Sequence, residues 1–280
     1  LAGCHVFLRK IEAKQIYDAI ATHKVTHLCG APIIMSLLAT ADKDQKRDFS
    51  HTVEMMTAAA PPPPTIIKSI EAIGISVTHV YGLTEVYGPA VICAWKPEWD
   101  NLPNDEQARL KARQGVAYEL QEDCIVINPE TGAPVPADGD TMGEIVMRGN
   151  IVMKGYLKAP EATQKAFADG WFWTGDLAVM HEDGYIEIRD RSKDIIISGG
   201  ENISSIEIEK VLFEHAAISS VAVVAQPDPV WGESPCAFVE LAPNQTADAE
   251  MLSDFCKSRM AGFKRPKRFI FGPLPKTSTG

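Results

Sequence analysis

A chain of 280 residues, 45% apolar and 23% charged, is long for one average domain, suits two, and carries enough core for independent folding. A net charge of −10 argues against nucleic acid as a main partner, since binding a phosphate backbone needs a basic surface. No apolar run approaches the roughly 20 residues a membrane span needs. The six cysteines, at 4, 29, 93, 124, 236 and 256, offer neither a C-x-x-C pair nor zinc-site spacing, which favours a reduced cytosolic setting over a disulfide framework.

In chain order, Leu1-Ala-Gly-Cys-His5 starts without methionine or a signal-peptide pattern, and the chain reads as a piece of a longer protein. Ile11, Ile16, Ala19 and Ile20 lie near one face of a helix, Val25-Thr-His-Leu-Cys29 is a short apolar strand, and Pro32 opens a second helix through Leu38. The unit then repeats: Val53-Glu-Met-Met-Thr57 is a strand, Pro61 to Pro64 break the chain, Ile66-Ile-Lys-Ser-Ile70 is helical, and Val77-Thr-His-Val-Tyr81 is the next strand. Strands alternating with helices predict a mostly parallel α/β sheet with ligands gathered beyond the carboxyl ends of its strands. Two loops fall there, Thr57-Ala-Ala-Ala-Pro61 and Tyr81-Gly-Leu-Thr-Glu85.

The first loop's small side chains, Ala59 and Ala60, admit a flat group close to the backbone. A proline-rich turn tying strand to helix accounts for the loop equally well. In the second, Tyr81 offers a flat face and Thr84 a hydroxyl, while Glu85 taken alone is a solvated charge at a helix start. His79, ahead of this loop, reads as a satisfied strand histidine. Trp95-Lys-Pro-Glu-Trp99 suits packing, and the charged run at 104–113 suits a solvated helix face. From Tyr118 to Arg189, short strands and turns predict an antiparallel β subdomain.

Asp183-Gly184 is a hairpin signal and Tyr185-Ile-Glu-Ile-Arg189 alternates with period two, so Asp176 is expected before a tight hairpin and Arg191 just beyond it. Both then reach one ligand. A carboxylate accepts from the two hydroxyls of a vicinal diol and a guanidinium offers five fixed donors, which makes ribose the natural candidate. A surface hairpin with solvated charges is the alternative for a bare T-G-D. Farther on, Asp194-Ile-Ile-Ile-Ser-Gly-Gly200 is a strand ending in a glycine turn, and Ser204-x-x-Glu207 caps a helix whose Ile208, Val211 and Leu212 share a face. Strands at 221–225 and 236–241 and a helix at about 249–260 complete a small α+β domain. The basic cluster Lys264-Arg-Pro-Lys-Arg268 reads equally as a phosphate contact or a solvated strand approach.

Taken together, Tyr81-Gly-Leu-Thr-Glu85, Gly143-Glu-Ile-Val-Met-Arg-Gly149, Lys154-Gly-Tyr-Leu157, Gly170-Trp-Phe-Trp-Thr-Gly-Asp176 with Arg191, and Ser198-Gly-Gly-Glu-Asn-Ile203 resemble, in order and spacing, the adenylate-forming (AMP-binding) ligase superfamily. Within it the chain is most similar to acyl-CoA synthetases of the medium-chain and methylmercaptopropionate-CoA ligase type. The resemblance implies part of a large AMP-binding domain over 1–191, α/β to about 117 and antiparallel β over 118–190, followed by a small mobile lid over 192–280. It places Ala59, Ala60 and Pro61 at the adenine, with Ala59 where the family usually has glycine. Tyr81, Gly82, Thr84, Asp176, Ile188 and Arg191 would contact ATP or AMP, and Glu85 would hold Mg²⁺ against the phosphates. His79 and Gly82 would border the acyl pocket, Lys193 would be the hinge, and Ser198, Gly199, Gly200 and Glu201 would face CoA.

The implied chemistry is two half-reactions: a carboxylic acid attacks the α-phosphate of ATP to give an acyl-adenylate, and CoA then displaces AMP. Thr84, Glu85 and Lys193 carry the catalytic roles the resemblance assigns within this chain. A carrier-protein-loading or luciferase-like enzyme and a noncatalytic nucleotide-binding module are the alternatives; the acid and the oligomeric state stay open. A cytoplasmic location is expected, a peroxisomal address in a longer tail being the other possibility. The family's triphosphate loop is expected upstream of Leu1 and its adenylation lysine just after Gly280, and Lys276 does not match that position. The 280-residue chain alone is therefore expected to show no acid-dependent pyrophosphate exchange from ATP, and appreciable exchange would contradict this.

Overall fold

The computed structural model describes residues 3–275; Lys276 and the Thr-Ser-Thr-Gly ending lie outside the described residues. The first layer holds α1 (Ala13–His23), β1 (His27–Cys29), α2 (Pro32–Ala39), β2 (Val53–Thr57), α3 (Pro64–Glu71), β3 (Ile75–Leu83), β4 (Gly88–Ile92), α4 (Asn104–Lys111) and β5 (Val116–Ala117). Its sheet runs β1-β2-β3-β4-β5, with β1 to β3 parallel and β4 and β5 antiparallel. The mostly parallel expectation is thus corrected at β4. A parallel crossover needs a dozen or more residues, and the link after β3 is one 3₁₀ turn, Thr84–Val86, so the chain can only double back. β3 also runs through Leu83, which puts Tyr81-Gly-Leu in the strand rather than the loop.

Helix patterning works as periodicity dictates: Ala13, Ile16, Tyr17 and Ile20 of α1 bury one face against Met35, Leu38, Ile67, Ile70 and the inner side of β2 and β3. Ile11 lies outside α1, which begins at Ala13, and is 64% exposed. The run at 104–113 is not solvated throughout. Ala108 packs into the core, and Arg113 is 6% exposed, donating to both Asp183 carboxylate oxygens at 3.1 and 2.9 Å. Trp99 stands edge-on to Trp95 and to Tyr185, both at 5.2 Å, and the Arg113 guanidinium lies 4.6 Å from the Tyr185 ring. Residues 95–113 therefore grip the hairpin tip.

The second layer is antiparallel: β6 (Asp123–Ile127), β7 (Gly143–Arg148), α5 (Pro160–Ala166), β8 (Phe167–Ala168), β9 (Trp171–Met180) and β10 (Ile186–Arg191), in the order β10-β9-β7-β6 with β8 on β9. Asp176 and Arg191 do not flank the hairpin, as expected, but lie within its strands as direct cross-strand partners. The third layer holds β11 (Ile196–Ser198), β12 (Glu201–Ile203), α6 (Ser205–Phe213), β13 (Ile218–Asp228), β14 (Gly232–Leu241), α7 (Ala249–Lys257) and β15 (Arg268–Phe271). Its order is β12-β11-β14-β13 with β15 parallel to β14, around Ile196, Ile208, Leu212, Val239 and Leu252. The cap predicted for α6 is half a capping box: Ser204 Oγ accepts from Glu207 N–H at 3.0 Å, but the Glu207 carboxylate binds Lys264.

The second and third layers are tied at the start of α6. Ser204 Oγ–H donates to the Arg189 carbonyl at 2.6 Å, Asp190 Oδ2 accepts from Ser205 N–H at 2.5 Å, and Lys210 of α6 reaches Glu187 at 3.1 Å. Burial opposes ionisation of Glu187, yet the hydrogen bond from His181 and the charges of Lys210 and Arg189 outweigh it and hold its carboxyl down to about 2. Glu209 is the opposite case. Burial, with Asp190 and Asp194 nearby, pushes it up to about 7 although Val223 N–H donates to it at 2.8 Å.

Ala59 sits at φ +87°, a conformation open to glycine and costly for alanine, so Ala59→Gly is expected to raise the urea midpoint at unchanged slope. Relief of roughly 1–2 kcal/mol against roughly 0.4–1 kcal/mol of added chain entropy gives a net gain of about 0.5–1 kcal/mol. For Glu209 the folded state holds the proton more tightly than the unfolded one. Stability from this group is thus present at low pH and lost as pH rises from about 4.5 to about 7. Glu209→Gln should flatten that fall and leave the variant melting above the parent at about pH 8, where the parent carboxyl is ionised.

Candidate functional site

Three strands bring three side chains together. Tyr81 on β3 donates its hydroxyl to Asp176 Oδ2 at 2.6 Å, and Arg191 at the end of β10 places Nε 3.2 Å from Asp176 Oδ1. Asp176 is 4% exposed; burial raises its carboxyl above the usual carboxylate range, against the pull of Tyr81 and Arg191. Burial and the neighbouring carboxylate push the Tyr81 hydroxyl well above 10, so it remains a donor. Its ring is 9% exposed and packs with Ala90, Val91 and Ile188. A carboxylate has about four lone-pair directions, so these two partners leave capacity for further hydroxyl donors.

The remaining residues singled out in the sequence distribute around this trio. Gly82 lies where a side chain would run into the Gly88 carbonyl at 1.8 Å, so glycine lets β4 close on the strand that carries Tyr81. Thr84 is exposed; Glu85 accepts from the Tyr156 hydroxyl at 2.9 Å, and its carbonyl accepts from Met153 N–H at 2.7 Å. The Y-G-L-T-E and K-G-Y-L motifs are thereby joined. Ala59, Ala60 and Pro61 follow β2, whose last residue Thr57 pairs with His79. This loop leaves the sheet at the same end as the trio.

His79 is 3% exposed, with Nδ1 at 3.0 Å from the carbonyls of both Ala112 and Arg113. Two carbonyl partners require the proton on Nδ1, and burial lowers the ring to about 4, so His79 is neutral. Ile188 is core, its N–H taken by Gln114 Oε1 at 2.6 Å. Lys193 is exposed in the turn after Arg191 and makes no hydrogen bond or ion pair among the described residues.

Ser198, Gly199, Gly200 and Glu201 form the β11–β12 hairpin turn, with Gly199 and Gly200 at φ +62° and +88°. Sequence reasoning missed Trp231. It is half exposed, its carbonyl accepts from Gly199 N–H at 2.8 Å, and a side chain at Gly199 would meet its ring at 2.7 Å. Lys267 sits 5.5 Å from that ring and 2.8 Å from Asp228. Lys264 is paired with Glu207, so two members of the basic cluster are already partly neutralised. The signal that could have found Trp231 is a bulky aromatic just before Gly232, a turn glycine at φ +80°. Two surface hollows, about 470 Å³ beside residues 161–165 and about 280 Å³ between residues 6–8 and α1, are lined by other residues.

The sequence matches the AMP-binding enzyme family over residues 1–157 and the AMP-binding enzyme C-terminal domain over residues 207–280. It is 56% identical to an acetate–CoA ligase of Humulus lupulus over 99% of this chain and 50% of that protein. It is 53% identical to a peroxisomal acetate/butyrate–CoA ligase of Arabidopsis thaliana over 100% of this chain and 50% of that one. Among solved structures, o-succinylbenzoate CoA synthetase of Bacillus subtilis with its acyl-adenylate superposes with a TM-score of 0.79 at 27% identity, over 95% of this chain and 51% of that one. ATP-bound MatB of Rhodopseudomonas palustris gives 0.81 at 29%, over 98% and 52%. The chain spans about half the length of the curated relatives it matches. With identity above one half along its whole length and the mixed α/β architecture shared, the chain belongs to the AMP-binding enzyme family.

Proposed function

We propose that the protein activates a short- or medium-chain carboxylic acid with ATP and transfers the acyl group to CoA. The acid's oxygen attacks the α-phosphate and pyrophosphate leaves; the thiol then attacks the acyl carbon and AMP leaves. The observation that carries this reading is the buried Asp176 carboxylate held between Tyr81 and Arg191. A fixed acceptor beside a fixed cation suits the diol and phosphate of a nucleotide. The acetate, butyrate and 2-methylpropanoate in the names of relatives at 50–56% identity support a small acid.

In this reading Asp176 accepts from the ribose hydroxyls and Arg191 donates to sugar or phosphate. Ala59, Ala60 and Pro61 flank the base, Gly82 and the core residue Ile188 back the nucleotide site around Tyr81, and Thr84 donates to a phosphate oxygen. Glu85 suits Mg²⁺: one oxygen is oriented by Tyr156 and the carboxylate is only partly covered. Mg²⁺ is usually held by one or two carboxylates with phosphates and water, and Glu85 would be the carboxylate here. When bound, Mg²⁺ would offset the charge that repels an incoming carboxylate. Neutral His79 borders the acid side without adding charge.

In the same reading a large domain through Arg191 and a lid from residue 192 would have their swivel at Lys193. The Lys210–Glu187 and Asp190–Ser205 contacts would part as the lid turns. The turn at Ser198, Gly199, Gly200 and Glu201, with Trp231 beside it, would then meet the pantetheine arm. A cytosolic or peroxisomal location belongs to the same reading, one relative being named as peroxisomal. Among the described residues no helix is long and apolar enough to cross a membrane.

Isothermal titration of the chain with AMP tests the reading. Asp176→Asn, which removes the charge that draws the ribose hydroxyls and Arg191, should weaken binding by about 10- to 100-fold, the worth of a hydrogen bond to a charged group. Unchanged affinity, or no AMP binding by the parent, would count against it.

A further inference from the structure

Gly143-Glu-Ile-Val-Met-Arg-Gly149 is a motif to which no ligand contact falls in the arrangement above. Its second residue does something else. In the β7–β9 ladder Glu144 pairs with Leu177 and Val146 with Trp173, so a two-residue step on β7 spans a four-residue step on β9. Residues 174–176, the T-G-D segment itself, thus stand opposite Ile145 alone, two more than a regular ladder would hold. This is a bulge, a device that re-aims a strand side chain at the cost of ladder hydrogen bonds.

Four bonds hold that bulge. Thr174 Oγ1 donates to the Ile145 carbonyl at 2.8 Å and accepts from Asp176 N–H at 3.1 Å. Gly175, at φ +76°, turns its N–H to Glu144 Oε1 at 2.8 Å and its carbonyl to Ser192 N–H at 2.9 Å. In a regular ladder that N–H would find a strand carbonyl; the bulge removes it, and an unpaired buried N–H is costly. One Glu144 oxygen thus fixes a residue whose far side leads to Asp176 and, across the Gly175–Ser192 bond, to the residue between Arg191 and Lys193. The carboxyl is half-buried and raised above its ordinary value by burial, with Asp176 adding to the rise.

We propose that Glu144 is a positioning residue for the nucleotide site, holding the Thr174-Gly-Asp176 bulge so that Asp176 faces Tyr81 and Arg191 and anchoring Ser192 ahead of the swivel at Lys193. This rests on the reading that Asp176 and Arg191 grip the ribose. The oxygen at this place is what matters, so an amide there serves and a methyl does not.

The test compares the parent chain with Glu144→Ala, Glu144→Gln and Asp176→Asn by AMP titration and by amide hydrogen exchange at Gly175 and Ser192. Glu144→Ala should weaken AMP by about tenfold and speed exchange at both amides, while Glu144→Gln stays within about threefold of the parent with slow exchange. Asp176→Asn should lose AMP affinity with exchange at Gly175 still slow, which separates a failed site from a failed prop. Should Glu144→Ala not fold, Gly175→Ala disturbs the same peptide by strain at positive φ, its added carbon meeting only Ser192 Oγ at 3.8 Å, and should weaken AMP similarly. Parental affinity and exchange in Glu144→Ala overturn the proposal, as does a Glu144→Gln as weak as Glu144→Ala. If the parent does not bind AMP, the site reading fails and the positioning role fails with it.

Discussion

The structure turns on one buried charge. Asp176 is taken out of water on a bulge of β9, and an isolated ionised carboxylate there would be untenable without partners. It has two, supplied by different layers: the hydroxyl of Tyr81 from the first sheet and the guanidinium of Arg191 from the neighbouring strand of the second. The packing of the two sheets and the geometry of the site are thereby the same fact. The seam is reinforced by residues 112–115, whose backbone accepts from His79 on β3 and pairs with Ile186 on β10, while Arg113 clamps the hairpin tip. Anything that shifts one sheet on the other moves the Tyr81 hydroxyl away from Asp176.

The third layer is seated on the same hairpin. Asp190, one residue before Arg191, accepts from its own strand end and from the first turn of α6, and Glu187 gathers His181, Arg189 and Lys210. These contacts combine a fully paired Glu187 with a Glu209 that burial disfavours as an anion. How firmly they seat the third layer therefore depends on pH.

Much of this was legible in the sequence because it is local. Alternation and helical spacing found β2 to the residue and located α2, α3 and α6, and the capping signal at Ser204 marked the start of α6. The hairpin signal put Asp176 and Arg191 within reach of one point, though flanking the hairpin rather than paired within its strands. What stayed hidden depends on pairing between distant strands. A bulge is a mismatch of register between β7 and β9, so neither the strained turn at Gly175 nor the bond from Glu144 has a signature in either strand alone. The antiparallel return at β4 hid behind Tyr81-Gly-Leu-Thr-Glu85, which read as a loop leading to a helix although only the 3₁₀ turn Thr84–Val86 follows the strand. Arg113 looked like one more solvated charge until Trp99, Tyr185 and Asp183 closed around it. Ala59 is the reverse lesson: the resemblance puts it where the family usually has glycine, and the chain keeps a glycine-like φ there and bears the strain.

The most direct test of the central claim is a crystal structure of this chain with AMP bound. The account predicts both ribose hydroxyls within hydrogen-bonding distance of Asp176, with Arg191 on the same sugar or its phosphate and the T-G-D bulge unchanged. A nucleotide bound elsewhere, with Asp176 still engaged only by Tyr81 and Arg191, would contradict it.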